Sequence, residues 1–291
     1  MPYGREAVGA GAFVVALGRS SALKRQTAGV QGPLLPEETC VTPPDESSPY
    51  PTNEPMFNVP NCVMAILAVL VLVQLGRSFL SPETDLWFVL STAFIPGRYG
   101  PLGEALPGGE LAKFTSPVTH MLVHGDWIHL GLNSAWLLAF GGAIAVRTGT
   151  LRFLAFFVVC GLAGAAAFYV ANEGLLQPMV GASGAISGLL AGTLRILFPA
   201  LENGGFWRLR EAPRSVRLMS LSETLTDRRI LVASAILVLI NVMTVIGFGA
   251  AQNSAGIAWE AHLGGYVIGI FTYGLFDNVS RFAEDRQLHD D

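Results

Sequence analysis

Six stretches of the chain are apolar over lengths close to the thickness of a bilayer: Cys62–Leu80, Trp127–Val146, Leu151–Asn172, Val180–Leu197, Ile230–Phe248 and Ile257–Phe276. A spanning helix needs about 20 consecutive apolar residues, and a helix satisfies its own backbone hydrogen bonds where no water can. The pattern predicts an all-α polytopic membrane protein, a bundle of six transmembrane helices. Composition points the same way: 51% of the residues are hydrophobic and only 14% are charged, against about 25% charged in soluble domains. Mean hydropathy is +0.48. A shorter apolar piece, Leu86–Ile95, ends at Pro96. At about ten residues it reads as an interfacial or re-entrant element, to be buried in protein or to line a wet cavity.

Residues 1–55 stand apart from this pattern. Gly32–Pro60 holds eight prolines among acidic and hydroxyl residues, a composition that cannot bury a core and predicts disorder. The apolar run Val8–Leu17 is too short to span. It lacks the basic flank and small-residue cleavage site of a signal peptide. Met56 directly precedes the first span and is a candidate initiator, which would leave residues 1–55 untranslated. The expected division is a disordered tail at 1–55, a membrane core at 56–280 and a second tail at 281–291. Cys40, Cys62 and Cys160 are far apart and have no metal-ligand spacing. Cys62 and Cys160 lie in apolar runs, where a free thiol behaves as a small hydrophobe, and no disulfide framework is expected. The net charge of −4 carries no nucleic-acid signal.

Lys and Arg set the orientation of membrane helices. Arg147 and Arg152 lie between spans two and three. Arg208, Arg210, Arg214, Arg217, Arg228 and Arg229 lie between spans four and five, and Arg281 and Arg286 follow span six. Arg195, near the end of span four, is expected to snorkel to the same side. The loops after spans three and five have neither Lys nor Arg. Both termini are therefore expected in the cytoplasm, with spans two, four and six starting on the outer side. Two Lys against sixteen Arg, with much Ala and Gly, suit a bacterial genome rich in G and C, and so a bacterial inner membrane.

Strongly polar groups inside spans are costly and are functional candidates by default. His129 and Asn133 fall early in span two, Ser183 early in span four, and Glu260 and His262 early in span six. Three helices entering from one face bring these residues into a single layer. Ser183 sits in Gly181-Ala182-Ser183-Gly184, where glycine permits close approach of a second backbone. At a helix start, unpaired backbone N–H groups can stabilise an oxyanion. Gly184 with Gly188, and Gly265 with Gly269, form small-residue faces that let membrane helices pack closely. Such packing is needed for a Ser–His hydrogen bond of about 3 Å. Blander readings exist for each residue alone. G-x-S-G in a membrane helix is more often a packing motif, as Ser187 one turn further on illustrates. A lone His is as often structural as catalytic. His129 and Asn133 share a helix face at i and i+4 and could simply bond another helix. Glu260, two residues from His262, faces elsewhere and is not placed as an orienting acid. Their joint occurrence at matched depth outweighs the separate readings.

The motifs resemble those of the rhomboid family of intramembrane serine proteases. His120-Met-Leu-Val-His124-Gly-Asp-Trp-Ile-His129-Leu-Gly-Leu-Asn133 is similar to the family's H-x3-H-x4-H-x3-N run. Gly181-Ala-Ser183-Gly184 resembles its G-x-S-G, and Ala261-His262-Leu-Gly-Gly265-Tyr-Val-Ile-Gly269 its A-H-x-x-G-x-x-x-G. Phe94-Ile-Pro96-Gly-Arg98-Tyr99 is similar to bacterial members. The resemblance covers about residues 56–278. It implies a six-helix rhomboid-like bundle and a Ser–His dyad, with Ser183 as nucleophile and His262 as general base. It further implies an oxyanion hole from His129, Asn133 and the Ser183 N–H, and structural roles for His120 and His124. Many members carry a Trp-Arg pair just before the histidine run, where this chain has Thr115 and Ser116. That pair shapes the first loop and is not part of the dyad.

The expected activity is thus serine endopeptidase cleavage of transmembrane segments, in single-span or polytopic membrane proteins within the lipid bilayer. No cofactor, metal or nucleic-acid partner is expected, and no sequence signal sets an oligomeric state. The alternative is a catalytically inactive rhomboid-fold protein that binds membrane clients, although such relatives usually lack the Ser or the His. A transporter would need a polar path across the whole bilayer, and the inner halves of these spans are nearly all apolar. A zinc protease would carry H-E-x-x-H, which is absent. Paired His could hold haem, but only His129 and His262 lie clearly within spans.

Overall fold

The computed structural model describes residues 59–101, 103–202, 205, 209, 212–245 and 258–277. Both expected tails, Met56, Arg208, Arg210, and the span residues 246–248 and 257 lie outside the described residues. The helices in order are α1 (Asn61–Arg77), α2 (Pro82–Thr92), α3 (Gly109–Thr119), α4 (Trp127–Thr148) and α5 (Thr150–Ala171). They continue with α6 (Ser183–Glu202), α7 (Leu221–Thr226), α8 (Arg228–Val245) and α9 (Trp259–Phe276). Among the described residues there is no β-strand, only an isolated antiparallel bridge between Phe94 and Met179. The fold is all-α and polytopic. By length and composition α4, α5 and α6 are able to cross a membrane, and α1 is a shorter apolar helix. The other predicted spans coincide with α1, α8 and α9.

Local chemistry sets several helix starts. Ser81 accepts the Thr84 N–H, Pro82 occupies the first helical position, and Glu83 and Asp85 lie in the first turn of α2. Each favours a helix N-terminus. Most of the apolar piece Leu86–Ile95 falls in this helix, which stops at Thr92 before the extended residues Ala93 and Ile95. Asp126 caps α4. Ser220 and Glu223 form a reciprocal capping box at α7, satisfying two otherwise orphaned donors.

The centre of the bundle is α9 packed against α5 and α6, with α6 the most enclosed helix. Small residues make this possible. A side chain at Gly265 would run into the Gly184 carbonyl, and a Cβ at Gly269 would lie 2.7 Å from Gly188 Cα. Where lipid surrounds a bundle, close backbone approach and van der Waals packing bring helices together.

At the opposite end of these helices, charges are buried. Arg147, closing α4, pairs with Asp277 at 2.7 Å and donates to the carbonyls of Pro213 and Val216. Arg195 donates to Ile270 O at 2.8 Å and Met219 O at 2.7 Å. The expectation that Arg195 snorkels to water is corrected: it is 4% exposed. Backbone carbonyls of α9 and of the 212–219 segment supply its partners internally, which offsets the cost of burying it.

Candidate active site

The site begins at the start of α4. Asp126 Oδ1 accepts the backbone N–H of His129 at 2.7 Å, the bond that caps the helix. The Gly125 N–H donates to His129 Nδ1 at 3.4 Å. A neutral imidazole has one donor and one acceptor nitrogen, so this contact leaves the ring hydrogen on Nε2. Asn133, buried one turn further along, donates from Nδ2 to the His129 carbonyl at 2.9 Å.

The segment that leads into Ser183 is laid along the first loop. Phe94 and Met179 exchange backbone hydrogen bonds of 3.0 and 2.8 Å, Gly97 N–H donates to Leu175 O at 2.7 Å, and Gly181 N–H donates to His120 O at 2.9 Å. Gly181 adopts φ 115°, a conformation that side-chain-bearing residues rarely take. A Cβ there would also lie 2.8 Å from His129 Cε1 and Nε2. The donor edge of His129 therefore abuts the backbone two residues before Ser183. Ser183 opens α6, where first-turn N–H groups have no intrahelical acceptor.

His262 lies in the first turn of α9, and its Nε2 is 2.8 Å from Ser183 Oγ. The crossing of α6 and α9 at Gly184 and Gly265 allows that distance. The remaining candidates make other contacts. Glu260 accepts from Asn172 Nδ2 through Oε1 at 3.1 Å and so faces α5. His120 is buried with Nδ1 3.0 Å from the Ser116 carbonyl. His124 is buried, with its ring edge-on to His129 at 5.1 Å between centroids. Its carbonyl accepts from Arg77, whose guanidinium also grips both oxygens of Asp85. Arg98, fully buried, donates to the carbonyls of Leu90 and Pro107. It gives the first loop an internal guanidinium in a chain with Thr115 and Ser116 before the histidine run.

Ser183, His262 and His129 are thus gathered at one end of α4, α6 and α9, whereas Asn133 directs its amide nitrogen to its own helix. Asp126, Gly125 and Asn172 support the site and were not singled out from sequence. Asp126 had a readable signal, an N-cap residue immediately before an apolar run. Asn172 had none, since its partner is 88 residues away. Among the described residues, no group of three or more His, Cys, Asp or Glu side chains is placed to hold a metal ion.

The Rhomboid domain family model matches residues 112–277, more than half of the chain. No curated protein matches it.

Proposed function

The chain belongs to the rhomboid family, and from that premise we propose that it is an intramembrane serine endopeptidase cutting transmembrane segments of membrane proteins. Ser183 is the nucleophile and His262 the general base. The observation that carries this reading, against that of an inactive client-binding relative, is the 2.8 Å separation of Ser183 Oγ and His262 Nε2. That is the reach general-base activation requires.

In acylation, Ser183 Oγ attacks the scissile carbonyl carbon while its proton passes to His262 Nε2. The carbonyl oxygen becomes negative as the tetrahedral intermediate forms. His129 Nε2–H, the Asn133 amide and the Ser183 N–H are the donors proposed for it. The C–N bond then breaks, His262 returns the proton to the leaving amine, and an ester to Ser183 remains. Water attacks that ester with His262 again taking the proton, which goes back to Ser183 as the carboxylic product leaves. Both termini and the arginine-rich end lie in the cytoplasm of a bacterial cell in this reading, and the dyad faces the outer side.

Mutation of Ser183 tests the reading. Ser183→Ala removes one oxygen and should abolish cleavage of a single-span substrate, a loss on the order of 10⁴ or more, with the fold intact. Ser187→Ala, one turn further on, should remain active. Cleavage by Ser183→Ala at the wild-type rate would withdraw the nucleophile assignment.

A further inference from the structure

We infer that Glu260, held by Asn172, is a positioning residue for His262: their hydrogen bond fixes the first turn of α9 against the C-terminal end of α5. The inference rests on the protease reading above and adds residues to its machinery. Ala258 occupies the N-cap of α9 and supplies no side-chain hydrogen bond, so the turn that carries His262 lacks the usual anchor of a helix start. Glu260 is the second residue of that turn.

Residues two apart on a helix project about 200° from one another, at 3.6 residues per turn. His262 accordingly reaches α6 while Glu260 reaches α5. The first turn of α9 is held from two opposite sides, by Ser183 and by Asn172. The anchor on α5 is itself fixed. Asn172 is the C-cap, with its N–H donating to Phe168 O and Tyr169 O. Its side-chain amide divides its two hydrogens between Phe168 O at 3.0 Å and Glu260 Oε1 at 3.1 Å. A carboxylate at this position also suits the positive end of the α9 dipole. Glu260 thus acts on the imidazole through the helix rather than by touching it.

A catalytic group displaced by about 1 Å can cost 10²-fold in rate. Glu260→Ala should therefore lower kcat about ten- to a hundredfold with KM little changed, and slow labelling of Ser183 by a fluorophosphonate in parallel. Glu260→Gln keeps an acceptor for Asn172 and should retain most of the activity, which separates geometry from charge. Asn172→Asp sets two carboxylates face to face and should be as impaired as Glu260→Ala. The double variant Asn172→Asp/Glu260→Gln reverses donor and acceptor between residues 172 and 260. It and Asn172→Asp both lack the bond to Phe168 O, so its gain in activity over Asn172→Asp isolates the contact with residue 260, which a general loss of packing would not restore. Hydrogen exchange of the full chain in detergent reads the tether without reference to catalysis. Amides of residues 259–263 should exchange faster in Glu260→Ala and in Asn172→Asp, and be better protected in the double variant than in Asn172→Asp. Wild-type kcat in Glu260→Ala, or a double variant no more active than Asn172→Asp, would overturn the inference. If the wild-type chain neither cleaves nor labels at Ser183, the protease reading fails. Exchange unchanged by Glu260→Ala then overturns the tether, and faster exchange supports it.

Discussion

At Asn133 a single amide nitrogen carries two hydrogens, and one is already spent on the His129 carbonyl 2.9 Å away. The other is the donor proposed for the oxygen that becomes negative in the tetrahedral intermediate. That charge is absent from bound substrate, so the interaction strengthens only toward the transition state. Asn133→Ala should therefore reduce kcat more than it raises KM. Loss of one oxyanion donor costs about 2.7–4 kcal/mol at most, roughly 10²–10³ in turnover, and less where His129 Nε2–H and the Ser183 N–H still donate. Kinetics with a single-span substrate in liposomes measure the split. Unchanged kcat with a raised KM would confine Asn133 to holding helix or substrate. At this scale the sequence was most legible where chemistry is written in short motifs. Ser183 and His262 could be paired as candidates because each sits in a local pattern and both fall at matched depth; they lie 2.8 Å apart. Asn172 could not, because its meaning comes from Glu260, a residue brought to it only by the packing of α9 on α5.

Between elements, the contact that decides the site is the crossing of α6 and α9. Any side chain at Gly265 meets the Gly184 carbonyl, one residue after the proposed nucleophile. Gly265→Leu should force the helices apart and break the 2.8 Å contact of Ser183 with His262. The expected result is lost cleavage with the chain still inserted. Overpacking of this kind typically costs about 1–3 kcal/mol, so thermal stability in detergent should fall as well. Gly142→Ala on α4, where a Cβ meets nothing within 4 Å, should leave both measurements near wild type. Full activity in Gly265→Leu would mean that the interface yields and does not set the dyad. Helix positions were legible because apolar length and spacing are local properties. The G-x-x-x-G faces were legible as interfaces for the same reason. The fate of Arg195 was not. Hydropathy assigns an arginine near a helix end to water, and only the assembled bundle provides the Ile270 and Met219 carbonyls that keep it inside.

The whole molecule is polar along the axis of its helices. The starts of α4, α6 and α9 carry His129, Ser183 and His262, and the far ends carry Arg147, Arg195 and Asp277. The far end is rich in arginine: Arg147 and Arg152 flank the α4–α5 turn, Arg214 and Arg217 lie between α6 and α8, and Arg228 and Arg229 open α8. The segment joining α5 to α6 at the Ser183 end has no Lys or Arg. Cationic loops are retained on the cytoplasmic side during insertion, which predicts that the dyad opens to the outer face. Cysteine accessibility tests this directly. Leu175 and Ser215 are exposed at opposite ends. Cys62 and Cys160 are buried and Cys40 lies outside the described residues, so both variants are made in a Cys40→Ser background, which supplies the labelling control. In intact spheroplasts a membrane-impermeant maleimide should label Leu175→Cys, and should reach Ser215→Cys only after the membrane is opened. The reverse pattern would invert the molecule and place cleavage on the cytoplasmic side. Equal labelling of both before lysis would mean that the two ends are not separated by a bilayer, and the assignment of α4, α5 and α6 as spanning helices would fall with it.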